Sequence, residues 1–446
     1  LIRRQRQMCI RDRFMIILIA KLCEKLLRLF GRGATTLPGR VALFLKKDVL
    51  KRLSESLKII IVTGTNGKTT TARMIENALL RAGKSCFLNR SGANLITGIT
   101  TAFLMNCDLR GRFKAEYAVV ECDENALKKA SLYFNADCLV VTNVFRDQLD
   151  RYGEVSSTLA AVAAGARNMP NAKLVLNADD PVSFSLSKQC VNFASFGIDK
   201  NLNLGGKGES EFCPVCREKL EYSSRTYCQL GNYACKKCGY RRIKPDVCAD
   251  EIFLNGENGS FVFFSSFGRE AMIKMNVGGI YNAYNALAAV CALQIVGVNI
   301  ETAVASLSSF GGVFGRAETF GGTQMLLVKN PAGFTQTMNY LSSCDVDNLI
   351  FVLNDNDADG KDISWIWDAE IDFPKNTKNV YAFGIRSGDM ALRLKYAGVE
   401  CEVIGGYNRF FELAERDKTA VVATYTAMMA LRPYFAQKYN KKEFWK

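Results

Sequence analysis

The chain has 446 residues, 48% hydrophobic and 23% charged, with a net charge of +14. That length carries two or three domains with their own cores, and the composition excludes a disordered or fibrous chain. There is no histidine, which excludes histidine acid–base chemistry within the chain; the basic balance asks for an anionic partner without choosing between nucleic acid, a membrane surface and an anionic substrate.

Residues 1–14, "LIRRQRQMCIRDRF", hold five arginines and one aspartate without hydrophobic periodicity, and the native protein is expected to start at Met15. The run "FMIILIA" is too short for a membrane span, which needs roughly 20 apolar residues, and no cleavage site follows it. Lys21, Glu24, Lys25 and Arg28 share one helical face, and Ile19, Leu22, Cys23, Leu26, Leu27 and Phe30 share another. The pattern predicts an amphipathic helix packed on its own domain, with a membrane surface as the alternative.

"KIIIVTGTNGKTTTARMIENALLRAG" reads as a β-branched strand from Ile59 to Thr63, a glycine turn, and a helix from Lys68 to about Arg81 stopped by Gly83. Strand, glycine loop and helix opening on Lys-Thr is a phosphate-loop context. Backbone N–H groups of Gly64, Thr65, Asn66 and Gly67 can wrap phosphates, and the first turn, Lys68-Thr69-Thr70, adds partial positive charge. Lys68 is expected at the β/γ-phosphates and the Thr69 hydroxyl on Mg²⁺. The spacing departs from the usual loop, with valine at position 62. Next, "AEYAVVECDE" predicts a buried strand with Glu121 at its carboxyl end, read as a Mg²⁺ ligand against the alternative of a solvated strand end. "ADCLVVTNV" and "AKLVLNADDP" repeat the pattern, the second ending at Asp179-Asp180. Three strands delivering polar residues to one edge predict a doubly wound α/β domain.

Most of the sixteen cysteines lie singly in apolar runs and read as small buried hydrophobes in a reducing compartment. Cys213, Cys216, Cys235 and Cys238 differ: two Cys-x₂-Cys knuckles eighteen residues apart have zinc-ribbon spacing, and four thiolates make a closed, structural Zn²⁺ site. The ribbon is expected to occupy residues 205–248, with Cys228 and Cys248 as bystanders. The basic "CKKCGYRRIK" admits a nucleic-acid-binding ATPase, but aromatic and basic residues are not interleaved as in single-strand platforms. A staple for a loop too small to have a core is simpler.

From about residue 319 an α/β alternation restarts, with strands expected at 325–329, 348–353, 379–383, 400–404 and 419–424 and helices at 333–342, 387–396, 407–416 and 425–438. This is a Rossmann-like domain without a glycine fingerprint. Its "LNDNDADGKDISWIWD" opens like a calcium loop at Asp355, but position 12 is Ile366 and a strand precedes it, so calcium is excluded. A surface acidic loop and a functional loop remain; Trp365 and Trp367 can anchor it on the domain or on a partner.

"TGTNGKTT", "TNVFRDQLDRYGE", "LNADDP", "NAYNALAA" and "FGRAE", in that order, resemble the Mur ligase superfamily. The resemblance implies a Mur-type ATP-binding domain over residues 15–318 and a C-terminal domain over 319–446. It also implies ATP and Mg²⁺, with a carboxylate phosphorylated and then attacked by an amine. It places Asn282 and Asn285 at adenine and Arg316 on the nucleotide. Gln148 and Lys329 stand where the family has histidines, and the front is too short for a domain that holds a uridine nucleotide. "NAYNALAAVCALQIVG" by itself reads as an amphipathic helix, with an N-cap plus a surface amide as the alternative role for its asparagines.

The ribbon, the short front, "KNPAGF" and "DADGKDISWIWD" resemble one branch of that superfamily. Its members convert D-glutamate in the lipid II stem peptide to D-isoglutamine, in a heterodimer with a class I glutamine amidotransferase of the GatD kind. That resemblance implies work in the cytoplasm at the inner face of the plasma membrane and no nucleic acid. It implies that Asp359 or Asp362, with Asp359 preferred, completes the partner's catalytic triad. A stand-alone ligase of the folylpolyglutamate synthase kind is the alternative.

Overall fold

The computed structural model describes residues 2–30, 34–90, 93–146, 155–205, 211–255, 259–311 and 316–441, with side chains from Arg13 onward except at 316 and 317. Three helices come first: α1 (Ile2–Leu29), α2 (Leu37–Leu45) and α3 (Val49–Ser54). α1 runs through residue 14 without a break. It packs through Ile16, Ile17 and Ala20, whereas Met15, Ile19, Leu22, Leu26, Leu29 and Phe30 are exposed. The face expected to pack is therefore the open one. Lys21 turns inward instead and donates to the Cys107 carbonyl at 2.6 Å. Among the described residues no helix is long and apolar enough to cross a membrane.

Among the described residues the larger sheet has nine strands in the order β11-β10-β9-β6-β5-β4-β1-β3-β2. They are β1 (Lys58–Thr63), β2 (Cys86–Leu88), β3 (Tyr117–Glu121), β4 (Cys138–Val141), β5 (Lys173–Asn177), β6 (Phe193–Ile198), β9 (Val247–Leu254), β10 (Ser260–Ser266) and β11 (Arg269–Met275). The run from β2 to β9 is parallel, and β10 and β11 add an antiparallel edge. The parallel strands are apolar on both faces because helices cover both. Ile59 and Ile61 face α5 (Ile96–Asn106), α6 (Glu124–Ala130) and α7 (Val155–Asn168); Ile60 and Val62 face α4 (Lys68–Arg81) and α9 (Ile280–Ile295). A single turn, α8 (Pro181–Phe184), precedes the ribbon hairpin of β7 (Glu221–Tyr227) and β8 (Leu230–Ala234). α9 is buried at nearly every position from Ile280 to Leu293. It is not amphipathic as expected, because it lies between the sheet, α4 and the C-terminal domain.

After α10 (Ile300–Ser308) the second sheet has, among the described residues, the order β12-β13-β17-β14-β15-β16. β12 (Arg316–Phe320) is antiparallel to β13 (Thr323–Leu327); β14 (Asn348–Val352), β15 (Asn379–Phe383), β16 (Glu402–Val403) and β17 (Thr419–Ala423) join in parallel. The layers are completed by α11 (Pro331–Ser342), α12 (Ser387–Tyr396), α13 (Tyr407–Ala414) and α14 (Tyr425–Lys438). β13 ends two residues earlier than the sequence suggested. The chain must leave the sheet so that Asn330 can cap α11, accepting from the Gly333 N–H at 2.8 Å with Pro331 in the first helical position.

Candidate active site

The glycine loop joins β1 to α4. Gly64 and Gly67 have φ of +119° and +88°, where other residues are strained. A Cβ at Gly64 would meet the Thr142 hydroxyl at 2.3 Å, and one at Gly67 would meet Asn285 Oδ1 at 2.1 Å. The loop is held from outside. The Thr65 hydroxyl donates to the Phe145 carbonyl at 3.1 Å, and the Asn66 N–H donates to Asn143 Oδ1 at 2.9 Å. Across from it, Asn330 Nδ2 donates to Asn66 Oδ1 at 3.1 Å and ties the C-terminal domain to the loop.

Lys68 is buried and folds back over the loop, donating to the Gly64 carbonyl at 2.6 Å and to Glu124 Oε1 at 2.8 Å. Thr69 is half-exposed in the first turn of α4. The hydroxyls of Thr63 and Thr70 are buried with no hydrogen-bond partner among the described residues. Unspent donors beside a glycine cradle at a helix N-terminus suit phosphate oxygens. Glu121 ends β3 beside Val62 and is 5% exposed. Asn89 fixes its backbone, accepting from its N–H at 2.7 Å and donating to its carbonyl at 2.8 Å. The neighbouring acids have other work: Asp123 caps α6 and Glu124 pairs with Lys68. Glu124 was missed in the sequence, where "ECDEN" gives no sign of which acid faces the lysine.

Between the loop and the C-terminal domain lies a cavity of ≈ 50 Å³ lined in part by Asn66, Tyr227, Tyr281, Asn285, Lys329 and Gln336. Asn282 and Asn285 are both buried rather than at the surface, and Asn285 Nδ2 donates to Asn282 Oδ1 at 3.4 Å. Asn285 Oδ1 accepts from the Thr71 hydroxyl at 3.3 Å, so this helix is fastened to the phosphate loop. Arg316 opens β12, but its side chain lies outside the described residues, as does Gln148.

Asp179 and Asp180, expected at a ligand-facing edge, are fully buried. Asp179 accepts from Arg242 Nε at 2.6 Å, the Tyr284 hydroxyl at 2.6 Å and the Ile198 N–H at 2.8 Å. Asp180 accepts from the Val144 N–H at 2.8 Å and Gln229 Nε2 at 2.9 Å. Burial pushes both carboxyls up, against these hydrogen bonds. They clamp the ribbon onto the sheet. The four ribbon thiols cluster, with Sγ–Sγ distances of 3.6 Å for Cys213–Cys238 and 3.4 Å for Cys216–Cys235. A tetrahedron with Zn–S bonds of about 2.3 Å needs about 3.8 Å, so the cluster fits a closed metal site. The Cys238 backbone N–H, ahead of other donors, holds the Cys235 thiol down to about 7. The hairpin above the knuckles delivers Tyr227 to the cavity wall, where it stacks on Phe145 at 6.2 Å.

The aspartate loop follows β14. Asp355 pairs with Arg386 at 2.8 Å, the exposed Asp357 with Lys361 at 3.2 Å and Asp368 with Arg146 at 3.1 Å. Asp362 is half-buried and accepts from the Ser364 N–H at 2.8 Å; the Ser364 hydroxyl and N–H hold its carboxyl below the usual range. Asp359 is 5% exposed and accepts from the Thr426 N–H at 2.7 Å and from the Thr426 hydroxyl, at the start of α14. Residues 356–358 form the exposed tip, with Asp359 beneath it. Trp365 anchors the loop against Phe334 at 5.9 Å, whereas Trp367 stays half-exposed beside Tyr396 at 5.5 Å.

A glycine phosphate loop at the edge of a parallel sheet, faced by a second α/β domain, is the architecture of a Mur-type ligase. The Mur ligase middle domain family matches residues 62–293. The solved structure of a pseudomurein peptide ligase type C from Methanothermus fervidus aligns with a TM-score of 0.66 at 24% identity, covering 88% of this chain and 80% of that one. MurF from Acinetobacter baumannii aligns with a TM-score of 0.64 at 17% identity, covering 90% and 81%. The family described as MurT ligase C-terminal matches residues 327–428. The lipid II isoglutaminyl synthase (glutamine-hydrolyzing) subunit MurT of Streptococcus pneumoniae is 34% identical over 425 residues, 92% of this chain and 93% of that protein. Its counterpart from Staphylococcus aureus is 33% identical over 401 residues, 86% and 88%. The chain belongs to the MurT family of Mur-type ligases.

Elemental analysis of the purified chain should find about one zinc per chain, and none after Cys216→Ser with Cys238→Ser. Because Tyr227 stands on the hairpin, zinc removal should lower Tm and weaken ATP binding several-fold. Unchanged nucleotide affinity in the stripped, folded chain would uncouple the ribbon from the cavity.

Proposed function

We propose that the chain is the ligase subunit that amidates the α-carboxylate of D-glutamate in the lipid II stem peptide, giving D-isoglutamine. It uses ATP, and ammonia supplied by a class I glutamine amidotransferase of the GatD kind in a heterodimer. The observation that carries this reading is the 34% identity, over nearly the whole of both chains, to a lipid II isoglutaminyl synthase subunit.

In this reading the nucleotide lies along the Gly64–Thr70 loop, with its base toward Asn282 and Asn285 and with Arg316 on the nucleotide. Lys68 leaves Glu124 for the phosphates, and Lys329 adds a second positive charge. Thr69 and Glu121 hold Mg²⁺, which when bound neutralises and orients the phosphates. The glutamate carboxylate oxygen attacks the γ-phosphorus and ADP leaves, giving an acyl phosphate. The ammonia lone pair then attacks the acyl carbon, the C–O bond to phosphate breaks, and nitrogen loses a proton to solvent. The lysines and loop N–H groups stabilise the charge that develops at each step. The Cys₄ ribbon holds structural zinc.

The aspartate loop serves the partner. Asp359 is preferred over Asp362 because Thr426 fixes its buried carboxylate, and a fixed carboxylate sets a histidine tautomer and stabilises imidazolium. The exposed Tyr396 and half-exposed Trp367 beside the loop offer apolar area for docking. A lipid substrate places the reaction at the inner membrane face. The open stripe Met15, Ile19, Leu22, Leu26, Leu29 and Phe30, flanked by the exposed Lys25 and Arg28, suits an anionic bilayer surface.

Purified chain with lipid II and ATP should amidate from ammonium alone, and from glutamine only with the amidotransferase. Ligation of a free amino acid instead would establish the stand-alone alternative. Asp359→Asn should cut glutamine-dependent turnover by about 10³–10⁴-fold and spare ammonium-dependent turnover; loss of both in a folded variant would refute the triad role. Separately, Leu22→Glu with Leu26→Glu should abolish co-sedimentation with phosphatidylglycerol vesicles. A wild-type chain that ignores such vesicles would refute membrane contact through α1.

A further inference from the structure

Gln336 sits on α11 with 5% of its surface exposed, and lines the cavity beside the phosphate loop. Neither its Oε1 nor its Nε2 has a hydrogen-bond partner among the described residues. The polar groups around it are engaged. The Thr337 hydroxyl donates to the Gly333 carbonyl at 2.9 Å, Asn285 accepts from Thr71 at 3.3 Å, and Asn143 bonds to Asn66 at 2.9 Å. A buried amide with neither end satisfied destabilises the free protein, and native structures rarely keep one without a reason.

The rest of the wall indicates a planar, largely apolar guest. Phe196, Tyr227, Tyr281 and Tyr284 contribute rings, and Leu326 and Leu327 close the C-terminal side. Such a wall favours stacking with any base, so it attracts without discriminating. The amide adds discrimination. At ≈ 50 Å³ the cavity has room for about one or two waters, so a base enters only as the two domains' walls part. Gln336 rides on the C-terminal wall, and Asn285 on the other.

We infer that Gln336 reads the edge of the nucleobase and sets a preference for ATP over GTP. The inference rests on the nucleotide reading above. The amide presents one donor and one acceptor side by side. Adenine offers the complement, its exocyclic amino donor next to a ring-nitrogen acceptor. Guanine presents two adjacent acceptors at its N7 edge, against which the amide oxygen is repelled. On its other edge it can meet the amide only by carrying its 2-amino group, which adenine lacks, into the ring-lined wall.

Calorimetric titration with ATP and GTP, beside thermal melts of the nucleotide-free protein, tests this on wild type, Gln336→Leu and Gln336→Met. The methionine variant keeps the unbranched shape should leucine not pack. Wild type should bind ATP at least about tenfold tighter than GTP. Either variant should lose about 10- to 100-fold in ATP affinity with little change for GTP. Its nucleotide-free Tm should hold or rise, because an unpaired amide has gone. Equal weakening for both nucleotides, or an undiminished preference for ATP, would overturn the inference while leaving the nucleotide reading intact. Failure of wild type to bind ATP would overturn both.

Discussion

Three asparagines close on two residues of the glycine loop, and the rest of the site depends on that contact. Asn143 holds the Asn66 backbone at 2.9 Å, Asn330 holds the Asn66 side chain at 3.1 Å, and Asn285 fills the space where Gly67 lacks a Cβ. Each comes from a different part of the fold: the strand end after β4, the cap of α11, and the first turns of α9. The phosphate loop is thus the point where the sheet, its covering helix and the C-terminal domain meet. The pairing of Lys68 with Glu124 keeps the loop's cation from lying buried and alone.

The ribbon belongs to the same construction. An insertion of this size has too little apolar surface to hold itself, and a cluster of thiols offers the missing constraint. Apolar packing of Leu220, Leu230 and Tyr233 is joined by buried polar contacts to the sheet: Arg242 on Asp179, Gln229 on Asp180, and the Tyr240 hydroxyl on the Pro181 carbonyl at 2.7 Å. Such contacts are directional, so they fix where the hairpin stands. Its position matters because Tyr227, at the end of β7, is part of the cavity wall.

Local chemistry was legible and long-range burial was not. The β1–loop–α4 unit could be read because β-branched residues, glycines and Lys-Thr all act within a few residues of one another. The thiol cluster could be read from two spacings. The C-terminal strands and helices fell close to where hydrophobic periodicity put them. Asp179 and Asp180 were misplaced because Arg242, 63 residues away, decides what Asp179 does. The covered side of α1 and the all-round burial of α9 depend on neighbours that no local pattern records. Gln336 carries no sequence signal, since a glutamine on a helix is ordinarily a surface residue; only the fold shows it enclosed and without a partner among the described residues.

If one nucleotide site is assembled from four separated segments, those segments respond to nucleotide together. Hydrogen–deuterium exchange of the chain with and without Mg²⁺·ATP tests it most directly. Residues 64–70, 226–229, 280–286 and 328–337 should gain protection together at the same nucleotide concentration. Protection limited to residues 64–70, with the other three segments unchanged at saturation, would contradict it.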